Sequence, residues 1–94
     1  MSQIFAKDLK NIRDYIAEDS ETYAAKTIKA IYGKFENLQM FPEIGSDLSK
    51  RVSFRTDYKY AVWTDYVIIY KVNSEYVEIY RVMNRYQDIT RIFE

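Results

Sequence analysis

Residues 57–83 read DYKYAVWTDYVIIYKVNSEYVEIYRVM, and the period of this stretch decides the fold. Tyrosine, valine and isoleucine recur at every second position, as they do where side chains alternate between two faces of a sheet. Two short polar breaks, Thr64-Asp65 and Asn73-Ser74, divide it into three strands of about 58–63, 66–72 and 76–83, joined by tight hairpins. The segment 66–72 is apolar on both faces apart from Lys71, which places it in the middle of the sheet. A further strand around 51–55 fits the same composition.

Upstream the period is 3.6 rather than 2. Phe5, Leu9, Ile12 and Ile16 form one stripe of an amphipathic helix, with Ser2 as its N-cap and Lys7, Lys10, Arg13, Asp14 and Glu18 on the wet side. Asp19 or Ser20 caps a second helix, whose stripe is Ala24, Ile28, Ile31, Phe35 and Leu38. Gly33 lies inside it, either at a cost in helix propensity or as a point of close packing on the first helix. Pro42 follows the stripe as a stop, and 41–50, FPEIGSDLSK, reads as a loop. The expected fold class is α+β: an N-terminal helical hairpin packed on one face of a three- to four-stranded antiparallel sheet, in a single domain over 1–94. The last residues, YQDITRIFE, predict a short terminal helix.

Composition narrows the function. The chain has no cysteine, which excludes disulfides and thiolate metal sites and fits a reducing cytoplasm. It has no run of about 18 apolar residues, the length a membrane helix needs, and no unbroken apolar leader. It also lacks histidine, the side chain that moves protons near neutral pH. Net charge is zero, so any nucleic-acid contact must come from a local cluster rather than from a basic surface. No cofactor or metal motif is present. The FPEIG loop is a chain reversal and has too little glycine for a phosphate cradle.

Four segments in this order resemble the RelE/ParE superfamily, the toxins of bacterial type II toxin–antitoxin systems. DLKNIRDYIAED (8–19) is similar to the family's first helix. LQMFPEIG (38–45) is similar to the end of its second helix and the loop beyond, through Leu38, Phe41, Pro42 and Gly45. DYVIIYKVNSEYVEIYRV (65–82) is similar to its Y-x-I-x-Y-x-V strand and the hairpin that follows, and RVMNRYQDITRIF (81–93) to its tail. The resemblance departs at the start. Family members open with a strand before the first helix, whereas Ser2 already aligns with the serine that begins the helix. That implies an unpaired sheet edge, open to strand addition by an antitoxin segment or a second copy of the chain.

The resemblance implies a small antitoxin protein as partner, in a hetero-oligomer or beside a homodimer, and one of two targets. The ParE branch binds and blocks DNA gyrase. The RelE branch cuts mRNA at the ribosome, using a base for the 2′-hydroxyl, cations for the transition state and an acid for the leaving oxygen. For that chemistry the candidates are Arg55, Arg81, Arg85 and Tyr86, with Lys59 and Lys71 as phosphate contacts. Two positions favour the ParE branch: Asn84 stands where relatives often carry histidine, and Val67 where many nuclease relatives carry arginine. An attenuated relative that keeps antitoxin binding is the third reading. Tyr58, Tyr60, Tyr66, Tyr70, Tyr76 and Tyr80 alternate along the strands, either as core and antitoxin contacts or as a base-stacking face. Trp63 is placed as an aromatic anchor on a partly exposed face.

Overall fold

The computed structural model describes residues 3–50, 52, 55–74 and 76–84. Helix α1 spans Gln3–Ala17 and helix α2 spans Glu21–Met40. Strands follow at β1 (Ser46–Asp47), β2 (Lys59–Trp63), β3 (Tyr66–Val72) and β4 (Val77–Asn84), all antiparallel in the order β1-β2-β3-β4. The α+β arrangement of a helical hairpin and a four-stranded sheet is therefore as expected, and β3 is an interior strand. The proposed N-cap Ser2 and the terminal helix of YQDITRIFE lie outside the described residues.

Ser20, not Asp19, caps α2. Its hydroxyl accepts from the Tyr23 amide at 3.1 Å, satisfying one of the orphan donors of the first turn. The two stripes meet the sheet as the spacing predicts. Phe5, Leu9, Ile31, Phe35 and Leu38 are buried against Ala61, Ile68, Tyr70, Val77, Ile79 and Val82, with Phe5 and Phe35 edge to face at 4.8 Å. Gly33 is exposed, and a Cβ there would meet nothing within 4 Å. Of its two readings, close packing on α1 is thus ruled out.

Of the strand expected at 51–55 only Val52 and Arg55 are described, and neither lies in a strand; the fourth described strand comes earlier. It is the two-residue β1, paired as Ser46↔Tyr60 and Asp47↔Lys59. Val52 is buried, and with Leu48 it covers the sheet face turned away from the helices, against Val67, Ile69 and Met83. Arg51, Ser53 and Phe54 are outside the described residues.

The sheet thus has a core on each face, and the tyrosines divide between them. Tyr66 and Tyr70 pack on the helix side, while Tyr58, Tyr60 and Tyr80 pack on the other. A register shift opposite Ile69 and Tyr70 helps to set this division: Ile69 pairs with Arg81 and Tyr70 with Ile79, which leaves Tyr80 as the extra residue of a β-bulge. The β2–β3 hairpin turns at Thr64-Asp65, with Thr64 at φ 50°, a left-handed conformation that β-branched residues seldom adopt. Tyr70, fully buried, ties the sheet to the loop after α2: its hydroxyl donates to the Pro42 carbonyl at 2.8 Å and accepts from the Gly45 amide at 3.0 Å.

Candidate functional site

The outer side of β4 is where the two helices and the sheet edge come together. Among the described residues no strand pairs there. Two side chains occupy the edge instead. The Gln39 amide, in the last turn of α2, donates to the Val77 carbonyl at 3.0 Å and accepts from the Val77 amide at 3.3 Å, as a neighbouring strand would. Further along, the Asp8 carboxylate accepts from the Val82 amide at 3.1 Å. The edge is closed at two points by side chains, one of the ways sheets avoid uncontrolled pairing.

Asp8 also holds Arg81. The guanidinium donates from Nε to Oδ2 at 3.1 Å and from Nη2 to Oδ1 at 2.9 Å, a fork-to-fork pair with good geometry. The Asp8 carboxylate is almost fully withdrawn from water, with 10% of its side chain exposed against 24% for Arg81. The bond to Asp8 raises the arginine pKa further, so Arg81 stays a cation. Nothing in the sequence names Asp8 as that partner. A signal exists, however: Asp8 lies three residues after Phe5 and four before Ile12, so it sits on the buried stripe, where a charge needs a counter-charge.

The remaining site candidates that lie among the described residues are not gathered around Arg81. Arg55 is exposed in the segment before β2. Lys59 is paired with Glu43 at 3.3 Å. Lys71 lies across the strand pair from Glu78 and 5.9 Å from the Tyr58 ring centre, on the side opposite the helices. Arg85 and Tyr86 lie outside the described residues. Val67, at the position of the relatives' arginine, is 1% exposed in the second core.

Beside the Asp8–Arg81 pair runs a cleft of about 720 Å³. Asn11, Ile12, Tyr15 and Ile16 of α1 form one wall. Asp65 and Tyr66 of the β2–β3 hairpin form another, and Val82 and Asn84 close it from β4. Tyr66 titrates above the usual tyrosine range, first because it is withdrawn from water and then because Asp65 opposes a phenolate. Trp63 stacks on Tyr66 at 6.4 Å between ring centres and packs on the helix-side core, so it supports the hairpin more than it stands free. Among the described residues no three acidic side chains gather as a metal site, and no helix is long and apolar enough to cross a membrane.

None of the curated proteins compared with the chain is similar to it. A family model, described as the ParE toxin of the type II toxin–antitoxin system parDE, matches residues 1–89. That span takes in both helices, all four strands and the edge closed by Asp8 and Gln39. The fold, the order of its segments and this match agree, and the chain belongs to the ParE toxin family of type II toxin–antitoxin systems.

Proposed function

We propose that this toxin arrests growth in the cytoplasm by binding DNA gyrase, and that a cognate antitoxin holds it in check in a hetero-oligomer. The observation that carries this reading is the Asp8–Arg81 pair. A cation that steadies a phosphorane must be free to meet the phosphate, and Arg81 commits its Nε and Nη2 donors to a carboxylate within its own chain. The lack of histidine and the zero net charge point the same way. Under the alternative, RNA cleavage at the ribosome, Arg55, Arg81, Arg85 and Tyr86 would carry the chemistry.

Pulse-labelling after induction without antitoxin separates the two. Incorporation of thymidine is expected to fall before that of methionine, and purified toxin to slow gyrase supercoiling without shortening RNA. Methionine incorporation falling first, with supercoiling at its normal rate, would overturn the gyrase reading. Undisturbed growth with folded, soluble toxin in the cell would identify an attenuated relative.

A further inference from the structure

The zero net charge of the chain is unevenly spread. On α2 no acid stands between Glu21 and Glu36, and Lys26 and Lys29 lie one turn apart on its exposed side. On α1 the one acid before Asp14 is Asp8, which is turned to the sheet and paired with Arg81. Lys7, Lys10 and Arg13 recur there at every third residue, all exposed. Among the described residues none of the four lysines meets an acid in an ion pair, whereas Arg13 is held by Asp14 at 2.9 Å. Between the two rows of cations runs a groove of about 390 Å³, lined wholly by the two helices. Leu9 and Ile28 form its floor, with Lys10 and Arg13 on one side and Tyr32 on the other. The Tyr32 ring is 43% exposed and stands edge to face on Phe35, 5.6 Å between centres, which holds it in place.

We infer that this outer face of the helical hairpin binds single-stranded nucleic acid, with a base in the groove against the Tyr32 ring and the neighbouring phosphates on Lys7, Lys10, Lys26 and Lys29. Every base has a flat face and every phosphate a charge, so such binding is independent of sequence. Its affinity comes from neutralised phosphates, and a shallow site is enough. An acidic protein helix fits less well, because a protein interface depends on buried apolar anchors and the groove offers only three apolar side chains. A duplex fits less well too, since its bases are stacked on one another and leave the groove empty. Holding a strand is not cutting it: Asp14, the one carboxylate of the lining, is tied to Arg13. The inference goes beyond the gyrase reading and does not rest on it, since the face stands whichever target the toxin has.

The full-length protein is titrated into a fluorescently labelled oligothymidylate and read by anisotropy, beside an oligouridylate of the same length, a duplex of the same length and polyglutamate as competitor. At about 50 mM salt both single strands are expected to bind alike, with Kd of about 1–100 µM. Affinity should fall with the logarithm of salt at a slope of about −2 to −3, as for three or four phosphates neutralised on a single strand. Lys10→Gln and Lys29→Gln should each weaken binding severalfold and lower the slope by about 0.7. Tyr32→Leu, which keeps an apolar side chain on Phe35, should weaken it about fivefold or more, the worth of one stacked base. Lys50→Gln, beyond β1 and outside this face, should bind as the parent does, and circular dichroism shows that each variant is folded. Absence of binding at that salt, a duplex bound as tightly as the strands, polyglutamate displacing the strand at equal concentration of charge, or a Tyr32→Leu variant that binds like the parent would each overturn the proposal.

Discussion

Asp8 and Arg81 are 73 positions apart in the chain and joined by two hydrogen bonds, and the same carboxylate takes the next amide of the strand, that of Val82. One side chain of the first helix therefore fixes both the last strand's edge and its principal cation. Removing one partner leaves the other charge stranded in a place poor in water.

Asp8→Ala is accordingly expected to destabilise the fold by about 2–4 kcal/mol, since it strands Arg81 and orphans the Val82 amide together. Asp8→Asn should be milder, because the amide oxygen still accepts from Val82. Urea unfolding measures both. Equal losses in the two variants would mean that the bond to the Val82 amide contributes little beyond the charge pair.

Tyr70→Phe removes a hydroxyl that serves the Pro42 carbonyl and the Gly45 amide while keeping the ring in the core. The expected loss is about 1–3 kcal/mol. Gly45→Ala should be worse. Its Cβ would collide with the Tyr70 hydroxyl and lie 2.8 Å from the Tyr60 carbonyl oxygen, which is backbone and cannot swing away. If Gly45→Ala unfolds at the parent's urea midpoint, the loop is not pinned to Tyr70.

Gly33→Ala is expected to stabilise by about 0.5–1 kcal/mol, because an alanine there keeps the helix, meets open space and restricts the unfolded chain. Thermal unfolding with the midpoint unchanged or lowered would contradict it.

Alkaline pH should weaken the fold. Tyr58, Tyr66 and Tyr70 all titrate above the usual tyrosine value of 10.0, each chiefly because burial disfavours the phenolate. A group whose folded pKa is raised contributes its full stability below the unfolded value and loses it as pH climbs through the folded one. Stability from these three is thus intact at pH 7–9 and falls above about pH 10. Urea midpoints across that range should drop steeply in the parent and less steeply in Tyr70→Phe. A flat profile to pH 11 would refute the assignment.

The change of period from 3.6 to 2 made the helices and the three long strands legible, to within a residue or two, because amphipathic periodicity is local. Ser20 was readable as a cap for the same reason. What could not be read depends on contacts between distant positions. Leu48 reads as loop and Val52 as part of a further strand, yet both cover a second core that exists only once β3 is in place. The tyrosines alternate in sequence, but a single bulged residue, Tyr80, changes the phase of β4. Gln39 looks like an ordinary polar residue in a last helical turn, and its role appears only when Val77 arrives beside it. The Asp8–Arg81 pair is not legible in the sequence, because a lone carboxylate on an apolar stripe names a need without naming what meets it.

The ties that close the β4 edge set a clock on synthesis. Gln39 and Val77 are 38 positions apart and Asp8 and Arg81 are 73, so both clasps wait for β4 to leave the ribosome. At about 5–20 residues per second, Asp8 waits roughly 4–15 s for its partner. During that interval the helical hairpin has emerged with its apolar stripe uncovered and no strand to lie on. The nascent chain is therefore sticky until β4 slides under helices made long before it.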